Sequence, residues 1–175
     1  MRGGRLLTLW ALLAVVLLPG VATVLIPFGF VSRGLGVVPP NLGALEITAL
    51  GIGGAGLALL STCVWMFLRE GRGTLAPIDP PQRMVVTGPY RVVRNPMYLG
   101  VVMTVAAEAV LFRSLALAAY AAALLVAFHL FVILYEEPNL RRKFGRPYTD
   151  YAEAVPRWAP RLPFLRDERQ SPSGS

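Results

Sequence analysis

Long apolar segments without charge limit this sequence to a small set of folds. Four such segments occur, at residues 6–32, 47–68, 97–112 and 114–135. The third contains Glu108, and the fourth contains His129 as the one residue that can carry a positive charge. A helix needs roughly 20 residues to cross about 30 Å of hydrocarbon, and the short third segment needs help from Asn95 and Pro96. The sequence therefore predicts an all-α membrane protein with four transmembrane helices, at about residues 6–31, 45–68, 95–112 and 114–136.

The composition also indicates a membrane protein. Hydrophobic residues make up 55% of the chain, charged residues 15%, and the mean hydropathy is +0.56. A domain of this composition would be poorly soluble in water. The 175 residues suit one domain, which we place at residues 1–166, followed by a polar tail at 167–175 that is predicted to be disordered. The lone Cys63 excludes a disulfide framework.

The distribution of basic residues predicts the orientation of the helices. Apart from Arg33 and Arg113, every lysine and arginine precedes the first segment, lies between the second and third, or follows the fourth. The positive-inside rule places those regions, including both termini, in the cytoplasm. We expect a multi-pass protein of a bacterial cytoplasmic (inner) membrane. Because the net charge of +7 is dispersed along membrane flanks, anionic lipid head groups are favoured over nucleic acid as its partner.

The N-terminus offers one alternative, a cleaved signal peptide, since Arg2 and Arg5 precede an apolar stretch. That stretch is longer than the roughly 7–15 residues of a signal-peptide core, and no small-residue cleavage site is obvious after it. We therefore expect it to be retained as the first transmembrane helix.

Two segments on the predicted cytoplasmic side are long enough to carry chemistry. The loop at residues 69–95 exceeds the roughly 12–15 residues above which a loop is usually functional or disordered, and it combines turn-forming glycines and prolines with apolar residues. The tail contains two predicted short helices, at residues 139–144 before Gly145 and at residues 148–154 before Pro156.

A glycine-rich stretch at residues 51–56 matches the G-x-G-x-x-G pattern of dinucleotide-binding loops. The pattern has that meaning only between a strand and a helix, whereas here it lies inside a predicted transmembrane helix. The pairs Gly51/Ala55 and Gly54/Ala58 have the spacing that lets two helices pack closely. We therefore expect helix packing here, which would also suit a homo-oligomer.

Two adjacent carboxylates at the membrane boundary are candidates for function. Glu136 and Glu137 end the fourth predicted span, where an ionised group is costly without a partner. Pro138 disfavours helical geometry at the residue before it, so we expect the helix to break here. The alternative is an ordinary solvated helix end whose carboxylates pair with Arg141.

Two further ionisable residues lie within the predicted spans. His129 is expected to face the helix bundle together with Val132 and Ile133, where a catalytic role and a hydrogen-bonded role between helices both stay open. Glu108 is expected near the outer surface, close to Arg113, in a structural role.

The chain resembles the isoprenylcysteine carboxyl methyltransferase and phospholipid methyltransferase family of integral membrane enzymes in two segments, TGPYRVVRNPMYLG at residues 87–100 and LYEEPNLRRKFGRPYTDYAEAVPRWAP at residues 134–160. The resemblance implies a methyltransferase that takes its cofactor, S-adenosyl-L-methionine, from the cytosol. It also implies a lipophilic acceptor that arrives through the membrane, and it implies no metal site.

The same resemblance implies which residues form the site. The expected cofactor-binding residues are Gln82, Arg83, Met84, Val85, Tyr90, Asn95, Pro96, Met97, Tyr98, Glu136 and Glu137. Of these, the expected catalytic residues are Asn95, Tyr98 and Glu136.

The side chains implied by the resemblance suit the chemistry of the cofactor. Either glutamate can pair with its α-ammonium group, and Tyr90 or Tyr98 can cover the adenine ring or the sulfonium. The carboxylate can bind an arginine, for which the candidates are Arg83, Arg91 and Arg94. Flanking positive charge and an interfacial aromatic belt remain the alternative explanations for these arginines and tyrosines.

Two departures from the family pattern bear on the acceptor. Asn95 stands where the family usually has histidine, and Val132 stands where prenylcysteine enzymes have an arginine that contacts the substrate carboxylate. The sequence therefore favours a lipid amine or hydroxyl over a prenylcysteine carboxylate, and N- and O-methylation both stay open. Two other classes also stay open, a membrane NADPH-dependent reductase of sterol-reductase-like architecture and a non-enzymatic membrane scaffold.

Overall fold

The structure, a computed structural model, describes residues 19–38, 41–70 and 86–160. Within these ranges every regular element is a helix, which confirms the predicted all-α class. The six helices named below are α1 (Val21–Ser32), α2 (Ala44–Glu70), α3 (Pro96–Leu111), α4 (Leu115–Phe131), α5 (Glu137–Phe144) and α6 (Arg146–Ala154). A 3₁₀ turn, Gly88–Arg91, precedes α3, and a π-helical turn, Val132–Glu136, joins α4 to α5.

The long helices form a bundle with two distinct ends. Helix α2 packs along α3, α3 packs along α4, and α1 contacts both α3 and α4. At the turn end, formed by residues 33–38 and 112–114, the amide of Val37 donates to the carbonyl of Phe112 at 2.7 Å. At the tail end, formed by residues 86–96 and 136–158, the chain leaving α6 returns to the start of α3. Both segments that resemble the methyltransferase family therefore meet at the tail end.

Glycine allows α2 and α3 to approach at backbone distance. A Cβ atom on Gly56 would lie 2.9 Å from the carbonyl oxygen of Gly100, and one on Gly100 would lie 2.8 Å from the carbonyl oxygen of Gly56. One turn away, a Cβ on Gly53 would lie 3.0 Å from that of Ala107. Any side chain at Gly56 or Gly100 would push the two helices apart.

The prediction of helix packing by this stretch is confirmed, but among the described residues the contact with α3 uses Gly53 and Gly56 and not the predicted pairs. A Cβ atom on Gly51 or Gly54 would point into open space, with no packing partner within 4 Å, and Ala55 and Ala58 are exposed. Small residues occur on every side of this segment of α2. The position of α3, which contributes Gly100, therefore determines which of them form the close contact. Self-association through the open side stays a prediction.

Among the described residues, two helices are long and apolar enough to cross a membrane. They are the segments Ala44–Met66 and Leu115–Phe144, with mean hydropathies of 1.8 and 2.4, and they contain most of the second and fourth predicted spans. Helix α3 is apolar but has only 16 residues, or about 24 Å at 1.5 Å per residue. Four crossings and their orientation stay predictions.

Other predictions fall outside the described residues. These are the first half of the first span, most of the loop at residues 69–95, and the tail at residues 167–175. The division into a domain at residues 1–166 and a disordered tail also stays a prediction.

The expectation that Pro138 breaks the helix is wrong. Glu137 has helical backbone angles, φ −61° and ψ −44°, and the chain runs from α4 through the π turn into α5. Proline inside a helix clashes with the carbonyl four residues earlier, and the wider π turn before Pro138 gives its ring room. For the same reason α5 starts earlier than predicted, at Glu137. Helix α6 also starts earlier than predicted, at Arg146, with proline in its first turn.

Candidate functional site

The tail end is organised around the buried carboxylate of Glu137. The Arg94 guanidinium donates to Oε1 at 3.0 Å, and Arg157 donates from Nε to Oε1 at 2.7 Å and from a terminal nitrogen to Oε2 at 3.0 Å. The Glu137 side chain is only 8% exposed. These three hydrogen bonds join the segment before α3, the start of α5 and the chain after α6 in one cluster.

The charges around Glu137 determine its protonation. Burial by itself would raise its pKa, but the hydrogen bond from Arg157 and the positive charges of Arg94, Arg157 and Arg141 hold the pKa below the ordinary value. The same hydrogen bond raises the pKa of Arg157. Glu137 is therefore ionised at neutral pH. The alternative of a solvated helix end paired with Arg141 is wrong, because the carboxylate is buried between Arg94 and Arg157.

The chain after α6 is fastened to the start of α3 by its backbone. The amide of Arg94 donates to the carbonyl of Pro156 at 2.9 Å, and the side-chain amide of Asn95 donates to the carbonyl of Arg157 at 3.2 Å. The hydroxyl of Tyr151 donates to the carbonyl of Tyr90 at 2.7 Å. We call residues 155–158 the tail strap.

Glu136 differs from its neighbour in its partners. The Tyr98 hydroxyl donates to its Oε2 at 3.2 Å, and the Tyr98 ring stacks on Phe128 with centroids 4.6 Å apart. Within the described residues Glu136 takes part in no ion pair. A carboxylate has about four acceptor positions, so Glu136 can still bind a cationic group.

A small pocket opens beside these two glutamates. It is small and partly open, and it is lined by Arg94, Asn95, Val132, Glu136, Glu137, Leu140 and Tyr148. The Nε atom of Arg94 is buried and has no hydrogen-bond partner within the described part of the chain. The pocket thus combines an unsatisfied cationic donor with a carboxylate that has acceptor positions to spare. It is much too small to enclose a whole cofactor, so a cofactor bound here would place only one end in it.

The structure brings most of the described candidate residues to this place. Asn95, Glu136 and Glu137 line the pocket, and Tyr98 contacts Glu136. Pro96 is fully buried at the first turn of α3, where proline is well suited because that position needs no backbone donor. Met97 follows it on the same turn and is partly buried, outside the pocket lining.

Two of the described candidates, Tyr90 and Arg91, do not line this pocket. The Tyr90 hydroxyl contacts the thiol of Cys63 on α2, and burial raises the pKa of Tyr90, so it stays a neutral hydroxyl. Arg91 is exposed. Four predicted cofactor-binding residues lie outside the described residues, namely Gln82, Arg83, Met84 and Val85.

His129 is held by the tail strap. The Trp158 indole, which can only donate, approaches its Nδ1 at 3.0 Å. Nδ1 therefore accepts, and the neutral ring carries its hydrogen on Nε2, which leaves neither nitrogen free to act as a base. This geometry favours the hydrogen-bonded role over the catalytic one. The expected face is half right, because Val132 is 1% exposed but Ile133 is 36% exposed.

The expected neighbour of Glu108 is wrong. Arg113 donates two hydrogen bonds to Glu46, at 3.1 and 2.6 Å, whereas Oε2 of Glu108 is buried with no partner within the described ranges. Glu46 is the third residue of α2, and its other oxygen accepts from the amide of Gly43 at 3.0 Å. Arg113 therefore fixes the start of α2.

Sequence reasoning did not assign roles to Arg157, Trp158, Leu140 or Tyr148. The first two stand in the segment that resembles the family, in the letters PRWAP, so the signal was present. Their partners are 20 and 29 residues away in sequence, and spacing alone does not reveal such pairs.

The comparison with protein families agrees with the geometry. A model of the family described as phospholipid methyltransferase matches residues 48–147, which is more than half of the chain. The match spans most of α2 together with α3, α4 and α5, and it includes Asn95, Tyr98 and both glutamates. No curated protein matches the chain significantly. The predicted resemblance is confirmed at the level of the family: this chain belongs to the phospholipid methyltransferases.

Proposed function

We propose that this protein is an integral membrane methyltransferase that transfers a methyl group from S-adenosyl-L-methionine to a membrane lipid. The observation that carries the proposal is the pocket in which Arg94 and Glu136 stand together at the junction of the two family segments. Membership of the family supports a membrane methyltransferase, and the cofactor and acceptor are what we add.

The pocket residues fit the amino-acid end of this cofactor. Glu136 would bind the α-ammonium through its remaining acceptor positions, and the buried Nε of Arg94 would donate to the α-carboxylate. A charge-assisted hydrogen bond satisfies an otherwise costly buried donor. Because the pocket is too small for the whole cofactor, the nucleoside would bind to other residues. We propose Gln82, Arg83, Met84, Val85, Tyr90, Pro96 and Met97 for those further contacts.

The cofactor supplies a methyl group on a positively charged sulfur, so transfer needs no protein nucleophile. The protein has to hold the acceptor in line with that methyl group and to exclude water. Tyr98 fixes the orientation of Glu136 through their hydrogen bond and is itself fixed by stacking on Phe128. Asn95 ties the start of α3 to the tail strap. These contacts support Asn95, Tyr98 and Glu136 as the central residues of the site.

The acceptor we propose is a lipid amine or hydroxyl. Val132, at the place of the arginine in prenylcysteine enzymes, lines the pocket as a buried apolar residue. An ionised carboxylate acceptor would find no positive charge at that position, and burying it unpaired would be costly. Glu137 cannot substitute, since it is negative and already bound to two arginines.

A four-span arrangement with both termini in the cytoplasm would deliver the two reactants from different sides. Many large apolar side chains of α2 and α4 are exposed, among them Leu45, Ile47, Leu115 and Val126, as expected for helices that face lipid. The tail end, where Arg141, Arg142, Lys143 and Arg146 are exposed, would then lie at the cytoplasmic surface. A water-soluble cofactor reaches the pocket from there, and a lipid reaches it from the bilayer.

The test is methyl transfer from labelled S-adenosyl-L-methionine into a total lipid extract by the purified full chain, with identification of the labelled product. We expect a labelled lipid with a methylated amine or hydroxyl, and loss of labelling in E136Q. The matched control is D150N, which neutralises an exposed carboxylate on α6. No labelled lipid, or saturable binding of NADPH without binding of S-adenosyl-L-methionine, would contradict the proposal. Labelling of a synthetic prenylcysteine as fast as lipid would contradict the proposed acceptor.

A further inference from the structure

Two adjacent residues of the tail strap hold the two ends of the π turn. Trp158 donates to His129, three residues before the turn begins at Val132. Arg157 donates twice to Glu137, the residue directly after the turn ends at Glu136. The strap thus fastens α4 on one side of the turn and α5 on the other.

The π turn decides where Glu136 points. A π turn contains more residues than an α-helical turn, so every residue after it is rotated relative to the helix before it. Isolated π turns are rare and occur frequently at functional sites. In a regular α-helix, residues seven apart lie on one face, so His129 and Glu136 would share it. The inserted π turn changes that relation, and Glu136 reaches Tyr98 and the pocket.

The strap is itself fixed at the start of α3, and it is therefore able to act as a brace. Its carbonyls at Pro156 and Arg157 accept from Arg94 and Asn95, and Val155 is buried. The same residues that line one wall of the pocket thus anchor the strap, which in turn holds the opposite wall.

We propose that Arg157 and Trp158 are positioning residues that hold the π turn and thereby set the orientation of Glu136 toward the methyl donor. This inference rests on the proposed function, because the effect of the brace is read in binding of S-adenosyl-L-methionine. Neither residue needs to contact the donor or the lipid.

The first measurement is spectroscopic and does not depend on activity. The chain contains a single histidine, so ¹⁵N-histidine labelling of the full chain in detergent gives signals from His129 alone. We expect the tautomer with hydrogen on Nε2 in the wild type and a mixture of tautomers in W158F. The control W65F alters an exposed tryptophan of α2 and should leave the spectrum unchanged. An unchanged spectrum in W158F would overturn the brace at this end.

The second measurement separates positioning from folding. A variant that only lowers the fraction of folded protein lowers kcat and leaves KM unchanged, whereas a misdirected Glu136 raises KM for the donor. We expect W158F and R157K to raise the donor KM roughly tenfold or more, given that small misplacements in a site cost up to about a hundredfold. The KM for the lipid acceptor should not change. R146K, at an exposed arginine of α6, is the control for R157K.

A pair of substitutions at His129 keeps the inference testable if W158F folds poorly. H129Q retains an acceptor for the indole and should keep the donor KM within about twofold, whereas H129L removes the acceptor and should resemble W158F. Equal donor KM values in H129Q, H129L and wild type would overturn the brace. Absence of methyl transfer by the wild type would instead contradict the proposed function, and the histidine spectrum would still test the brace.

Discussion

The two ends of the bundle each contain a buried glutamate bound by arginine. They differ in whether polar groups beside a pocket can still bind a ligand. At the turn end, Arg113 and the amide of Gly43 occupy both oxygens of Glu46 and fix the start of α2. At the tail end, Arg94 and Arg157 donate hydrogen bonds to both oxygens of Glu137. Beside the pocket, however, the adjacent Glu136 still has acceptor positions, and the Nε of Arg94 has no acceptor among the described residues. An ion pair whose hydrogen-bonding groups are all in use stabilises the fold, whereas polar groups without partners beside a pocket point to a ligand.

The strongest test of this difference between the two ends is to remove the charge of Glu137. E137Q leaves Arg94 and Arg157, whose side chains are 12% and 29% exposed, without their counter-charge. Breaking a fully buried pair costs about 3–5 kcal/mol, and this partly exposed cluster should cost somewhat less. We therefore expect a large decrease in the free energy of unfolding in detergent, larger than for any other substitution discussed. The measurement is denaturant unfolding followed by circular dichroism, with D150N as the control. A decrease equal to that of the control would show that the cluster does not hold the tail end together.

Removing the charge of Glu136 should have the opposite signature. E136Q deletes one charge-assisted hydrogen bond to the donor, worth about 2 kcal/mol or roughly a 30-fold weaker Kd, while stability should change little because Glu136 has no ion pair among the described residues. Equilibrium dialysis with labelled S-adenosyl-L-methionine checks the first expectation and unfolding checks the second. Unaltered donor binding together with a loss of stability would make Glu136 structural, like Glu46.

Low pH should weaken the ion-pair cluster of Arg94, Glu137 and Arg157 at the tail end. The pKa of Glu137 is lowered in the folded protein, so its contribution to stability is complete above the ordinary carboxyl pKa and is lost as pH falls through the lowered value. We expect a constant unfolding temperature from neutral pH down to about pH 5 and a decrease below it. The decrease should be smaller in E137Q. Identical pH profiles for wild type and E137Q would contradict the assigned protonation.

The smallest effect is expected at the turn end. Arg113 is 60% exposed, so water screens its ion pair with Glu46, and Glu46 keeps the hydrogen bond from the Gly43 amide when Arg113 is replaced. R113Q should therefore lower stability slightly and leave the donor KM unchanged. Kinetics in parallel with R157K compare the two ends directly. A donor KM raised as much in R113Q as in R157K would mean that the turn end also shapes the site.

The sequence predicted those parts of the fold that depend on local pattern. Apolar segments predicted α2, α3 and α4, and the family resemblance brought Asn95, Tyr98 and Glu136 together at one end. Local rules failed where a tertiary contact decides. Pro138 was expected to break the helix, but the π turn accommodates it.

The contacts that Arg157 and Trp158 make could not be predicted from the sequence, for a related reason. Arg157 could have been one more basic flanking residue, and nothing in its neighbourhood in sequence indicates that Glu137 is its partner. The same holds for the glycines of α2, since only the position of Gly100 on α3 selects Gly56 over Gly54. In each case the deciding residue lies on another element.

The most direct test of the central claim is to compare binding of S-adenosylhomocysteine with that of methylthioadenosine, which lacks the amino-acid end. If Arg94 and Glu136 bind that end, the wild type should bind S-adenosylhomocysteine at least roughly tenfold more tightly, about 1.4 kcal/mol, and E136Q should lose most of this preference. Equal affinities in the wild type, or a preference that E136Q retains in full, would contradict the assignment of this pocket.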